Sequence, residues 1–132
     1  MSGHYRREFN NTVIQVQKLS VSIAAVTIRD MRNSLDPQGV VGGYKVAIRR
    51  IIDQMKEEVM TLPKDSDRYR LKRMQLALYI LLNQVMNIQS PIKRYGDLKD
   101  LYFFMERLQT TTFDQWKEFL ATGSTEFLDK NF

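Results

Sequence analysis

One segment, from residue 67 to about residue 89, constrains the fold more than any other. Its large apolar residues recur at three- and four-residue steps, which places them on one face of an α-helix. The opposite side is also partly apolar, so the helix has little room for a face exposed to water. We therefore expect a central helix packed on two sides. The main face carries Leu71, Met74, Leu78, Leu81, Leu82, Val85 and Ile88, and the other side carries Tyr69, Leu76 and Ile80.

A helix is also predicted before this central segment. Residues 44–62 repeat apolar side chains at helical spacing, with Lys45 and Arg49 on another side. This helix must end near Pro63, which cannot donate a backbone hydrogen bond. Either Asp65 or Ser66 can then cap the first turn of the central helix.

Two more helices are predicted after the central segment. Residues 98–108 again show helical apolar spacing. Thr112 and Gln115 form a capping box at the start of a short last helix, whose apolar residues include Trp116. At 132 residues the chain fits one domain. The prediction is an all-α, single-domain bundle of four to five helices over residues 1–132.

The first segment allows two interpretations. Phe9, Val16 and Ile23 suit one helical face, but residues 12–28 are rich in β-branched side chains and could instead contain a strand. We favour the helix. We expect residues 1–8 to be frayed and residues 36–43 to form a flexible loop between helices.

That loop prediction depends on the glycines at 39, 42 and 43. Their spacing fits neither a Walker A loop nor a dinucleotide-binding motif, since Lys45 comes one residue late and Val46 replaces the required hydroxyl. We interpret the stretch as a joint between two helices. Whether it binds an anion stays open at this stage.

Composition bears on location and on chemistry. Cysteine is absent, which is typical of a protein inside the cell, and the charged N-terminus lacks the apolar run of a signal peptide. The longest uncharged stretch, residues 74–92, contains too many amides for a membrane span. We therefore expect an intracellular, cytoplasmic protein without a membrane span.

Residues suited to catalysis are scarce. The single histidine, His4, lies near the chain start, and Glu57 and Glu58 point about 100 degrees apart on a helix. Asp97 and Asp100 are better explained as residues at a helix start, where carboxylates complement the helix dipole. We predict no enzyme, no catalytic or metal site, no cofactor and no small-molecule substrate.

Basic residues cluster beside aromatic ones in residues 67–73 and again in residues 92–97. Residues 63–90 carry five Lys or Arg against two Asp or Glu, within an overall net charge of +5. Cations near aromatic rings suit a phosphate backbone, so a small basic nucleic-acid-binding protein is the alternative function. The candidate contacts are Arg68, Arg70, Lys72, Arg73, Lys93 and Arg94.

Apolar residues outside the expected core support the preferred function. A second face of the first segment repeats an apolar residue every seven positions, and the C-terminal tail is rich in phenylalanine. We predict a non-enzymatic protein-binding, adaptor or assembly protein that engages another protein or a second copy of itself. The candidate interface residues are Ile14, Val21, Ile28, Leu35, Phe127, Leu128 and Phe132.

Overall fold

A computed structural model describes residues 3–32, 37–88 and 98–121 of the chain. These residues form helices joined by short turns, and no strand occurs among them, which confirms the all-α prediction. The strand alternative for residues 12–28 was wrong. Burial at helical spacing outweighs the weak preference of β-branched residues for strands. The helices are α1 (Gly3–Arg32), α2 (Pro37–Met60), α3 (Asp67–Ile88), α4 (Lys99–Thr110) and α5 (Phe113–Ala121).

Helix α3 is the centre of the bundle, as its two apolar sides predict. It packs against each of the other four helices. Its main apolar face is buried from Leu71 to Val85, while Leu76 and Ile80 are half-buried against the same core. Tyr69, in the first turn, is half-buried. All five helices contribute side chains to this core, and Trp116 of α5 lies within it.

The helix starts follow the predicted capping chemistry. Ser66, and not Asp65, caps α3: the amide of Tyr69 donates to its hydroxyl at 3.2 Å. At α5 the capping box is reciprocal, with the amide of Gln115 donating to the Thr112 hydroxyl and the amide of Thr112 donating to the Gln115 side chain. These bonds satisfy amides that the helix itself leaves without acceptors.

Helix α1 begins earlier than expected. Residues 3–8 are helical, so the prediction that residues 1–8 are frayed was wrong for that part, and residues 1–2 lie outside the described residues. The first turns dock against α5: the Phe9 and Phe113 rings meet edge to face, and the Arg6 guanidinium lies 4.9 Å from the Phe113 ring centre. Arg6 also pairs with Asp114 at 3.4 Å. This tertiary packing offsets the tendency of a chain end to unwind.

Polar side chains on the inner face of α1 fix its position. The hydroxyls of Ser20 and Thr27 are buried and donate to the backbone carbonyl four residues earlier. Thr12 also accepts a hydrogen bond of 3.0 Å from the buried Gln75 amide of α3. Because a buried polar group needs a partner, this bond favours one register of α1 on α3.

Helix α2 also begins earlier than expected. The prediction of a flexible loop over residues 36–43 was wrong for residues 37–43, which form the first two turns of α2, and residue 36 lies outside the described residues. Proline is well suited to the first helical position because its missing amide has no partner there. Each interior glycine costs a helix about 1 kcal/mol relative to alanine, and burial of Ile48 and Ile52 further along α2 offsets that cost.

Candidate functional site

An apolar row lies on the outer surface of α1. Ile14 and Val21 are 50% and 47% exposed, and Ile28 is half-buried. Their seven-residue spacing places successive members about 10 Å apart along nearly the same side of the helix. We call Ile14, Val21 and Ile28 the α1 row. The other interface candidates, Leu35, Phe127, Leu128 and Phe132, lie outside the described residues.

A glutamine interrupts the α1 row. Gln17 is three residues after Ile14 and four before Val21, so its side chain lies between theirs on the helix surface. Gln17 is half-buried, and its side-chain oxygen is buried within the described part of the chain without a hydrogen-bond partner. An apolar residue repeated every seven positions is the pattern of a helix-pairing seam.

The predicted nucleic-acid contacts are only partly available for an outside partner. At the start of α3, Arg70 pairs with Asp67 at 3.2 Å and Lys72 pairs with Glu58 of α2 at 3.4 Å. Arg73 lies over the Tyr69 ring, and Arg68 is exposed. Lys93 and Arg94 lie outside the described residues. Nucleic-acid binding at this cluster stays a prediction, although neighbouring carboxylates compensate two of its charges.

A second basic group, absent from the predicted sites, lines a surface depression between α2 and α3. The depression has a volume of about 350 Å³ and is lined by Lys45, Val46, Arg49 and Arg50 of α2 and by Asn83 of α3. We call it the α2–α3 depression. The turn at residues 61–66 makes α2 and α3 antiparallel neighbours, which brings Asn83 beside the first half of α2.

Positive charge in the α2–α3 depression is poorly compensated. Arg49 contacts Asp53 at 3.7 Å, and both side chains are exposed. In the parts of the chain that the structure describes, neither Lys45 nor Arg50 forms an ion pair. Val46, at the same place, is 56% exposed. The depression therefore combines three cations, one nearby carboxylate, an amide and an apolar side chain.

The sequence contained a signal for this basic group. Lys45 and Arg49 are four residues apart and Arg50 follows, so all three cations fall within two turns of one helix. From sequence, Lys45 and Arg49 lie on the side of α2 away from its apolar face, and only anion binding by the glycine-containing stretch before Lys45 is left open. Asn83 had no such signal, since its place depends on how α3 packs against α2.

The remaining groups suited to proton transfer or metal binding are dispersed. Nowhere in residues 3–32, 37–88 and 98–121 do three His, Cys, Asp or Glu residues come together as metal ligands. His4 pairs with Glu8 at 2.9 Å on the exposed side of α1. Asp100 lies in the first turn of α4, as predicted, and Asp97 lies outside the described residues.

Tyr79 of α3 is a buried tyrosine that contacts α1. Burial raises the pKa of its hydroxyl above the ordinary value. The hydroxyl donates to the Gln15 side chain of α1 over 3.5 Å. A phenol that holds its proton more strongly is suited to this structural hydrogen bond between α1 and α3.

None of the described helices is long and apolar enough to cross a membrane. No known protein family, curated protein or solved structure matches the chain. A functional hypothesis must therefore start from the two surface features, the α1 row and the α2–α3 depression.

Proposed function

We propose that the protein is a non-enzymatic assembly module that binds a second copy of itself through the α1 row. The supporting observation is the exposure of Ile14 and Val21, because the other large apolar side chains of residues 3–29 in α1 are buried or half-buried. Such apolar side chains, repeated on one face, lose contact with water when a second helix covers them. The absence of cysteine from the sequence supports action inside the cell.

A two-fold antiparallel pair of α1 helices gives both exposed residues a partner. In that arrangement Ile14 of one copy packs against Val21 of the partner subunit, and the symmetry axis passes close to Gln17. The side-chain oxygen of Gln17 is buried within its own subunit, so the contact between Ile14 and Val21 sets the register.

Sedimentation velocity over a range of protein concentrations tests the proposal. The unmodified chain should form a dimer, and Val21→Asp should weaken dimerisation at least about tenfold because a carboxylate would be buried in the apolar contact. Val46→Asp is the matched control, since Val46 is a similarly exposed valine on a different helix. It should leave dimerisation unchanged.

Two outcomes contradict the proposal. A chain that remains monomeric at the highest soluble concentration shows that self-association through the α1 row is wrong. Equal weakening by Val21→Asp and Val46→Asp shows that dimerisation does not depend on the α1 row. Circular dichroism of each variant checks that the helices remain folded.

A further inference from the structure

We propose that the α2–α3 depression binds the phosphate group of a small phosphorylated molecule. The anion would lie among Lys45, Arg49 and Arg50, and the rest of the ligand would contact Val46 and Asn83. This site is separate from the α1 row and does not depend on the proposed assembly.

The charge balance of the depression selects an anion. Three cations and the carboxylate of Asp53 leave an excess of about two positive charges, counted from the ordinary ionisation of these side chains. A phosphate monoester carries about −1.5 to −2 charges at neutral pH, which matches that excess. Arginine is especially suited to phosphate because its planar guanidinium donates two parallel hydrogen bonds to the oxygens.

The distribution of cations favours a small ligand over a nucleic acid. The depression is shallow and largely open to solvent, so the cations, and not an enclosing cavity, would hold the anion. A nucleic-acid backbone would need phosphate contacts repeated along an extended surface. Here the cations occupy two turns of α2, and the adjoining α3 contributes an amide instead of another cation.

The lining also provides contacts that distinguish a phosphorylated molecule from free phosphate. Val46 is exposed beside the cations and offers apolar contact to an organic group. Asn83 adds a side-chain amide to the rim of the depression.

Isothermal titration calorimetry on the full chain tests the site, with pyrophosphate as the probe at low salt. We expect saturable binding that Arg50→Gln and Lys45→Gln each weaken by about tenfold, because each removes a charge-assisted hydrogen bond. Arg68→Gln is the matched control, since it removes the same charge from an exposed arginine outside the depression. It should change the affinity less than about twofold.

Three further probes separate the sources of the phosphate group. If adenosine monophosphate binds more tightly than inorganic phosphate, the organic part of the ligand also contacts the protein. If the two bind equally tightly, the ligand is free phosphate. Either result supports the site if Arg50→Gln weakens it. A single-stranded oligonucleotide is the third probe. If it binds far more tightly than adenosine monophosphate, and if Arg68→Gln and Arg50→Gln weaken its binding equally, the ligand is a nucleic acid and the proposal is overturned.

Nuclear magnetic resonance gives an independent location for the bound anion. Pyrophosphate should shift the side-chain amide signals of Asn83 and the backbone signals of residues 45–50, while the signals of residues 67–70 remain in place. An absence of saturable binding at millimolar pyrophosphate, or shifts confined to the start of α3, would overturn the proposal.

Discussion

Two basic segments of this chain look alike in sequence and differ in the folded protein. Residues 45–50 contain three cations and residues 68–73 contain four. At the start of α3, Asp67 and Glu58 pair with two of the four cations, and the Tyr69 ring covers a third. On α2 only Arg49 has a carboxylate nearby, at 3.7 Å.

The difference shows that the density of cations in a sequence does not measure the charge available to a ligand. Carboxylates brought close by the fold decide that quantity, and Glu58 comes from a different helix than the Lys72 it neutralises. The two helix starts differ too: α3 begins with a side-chain cap, whereas α2 carries glycines at 39, 42 and 43 within its first two turns.

Reversing the charge of one arginine in each segment should give the largest difference in pyrophosphate affinity between the two segments. Arg50→Glu should weaken pyrophosphate binding by about 2 kcal/mol, or roughly thirtyfold, because it removes a donor and adds repulsion. Arg70→Glu, at a residue that already pairs with Asp67 and lies outside the depression, should weaken it less than about twofold. Calorimetric titration of both variants measures the contrast, and similar losses would show that the two segments are equivalent.

Removing the cap of α3 should have the next largest effect. Ser66→Ala leaves the Tyr69 amide without its acceptor, so the free energy of unfolding should fall by about 1 kcal/mol. Urea denaturation followed by circular dichroism measures the change. Ser22→Ala replaces an exposed serine within α1 and serves as the control, with no loss expected. An unchanged stability for Ser66→Ala would show that the cap does not stabilise α3.

Replacing a glycine of α2 should raise the free energy of unfolding, whereas the loss of the α3 cap should lower it. Gly43 is exposed, and an added methyl group would meet no other atom within 4 Å. Gly43→Ala should therefore raise the free energy of unfolding by about 0.5–1 kcal/mol, since alanine has the higher helix propensity. The same denaturation experiment checks it. A loss of stability would mean that residue 43 is not helical in solution.

Neutralising the carboxylate near each segment should have the smallest effect. Asp53→Asn releases Arg49 and should tighten pyrophosphate binding by about twofold, the scale of an exposed ion pair. Glu58→Gln releases Lys72 in the same way but should leave this affinity unchanged, because Lys72 does not line the depression. Tightening by Glu58→Gln alone would locate the anion at the start of α3 instead.

Most of the fold could be predicted because it depends on local patterns. The apolar face of α3, the end of α2 before Pro63 and the Thr112 capping box each involve residues close together in sequence. The errors at residues 3–8 and 37–43 have different causes. A chain end tends to unwind, and the packing of Phe9 on Phe113 offsets that tendency at residues 3–8. Glycines disfavour helix at residues 37–43, and burial further along α2 offsets that cost.

The candidate sites were less predictable because they depend on contacts between helices. The exposure of Ile14 and Val21 agrees with a second apolar face on α1, which the seven-residue spacing indicates from sequence alone. The α2–α3 depression required the position of Asn83, and the partial neutralisation of residues 68–73 required Glu58. Neither relation follows from the spacing of residues along one helix.

The docking of α5 against the first turns of α1 has a consequence for the order of folding. Phe9 and Phe113 are separated by most of the chain, yet each covers the other. At about 5–20 residues per second, a ribosome adds the intervening residues in roughly 5–20 s. During that time Phe9 lacks its aromatic partner, so the N-terminal turns of α1 cannot complete their packing until α5 has been synthesised. This late closure leaves the Phe9 ring without its aromatic cover for most of the time that the chain takes to be synthesised.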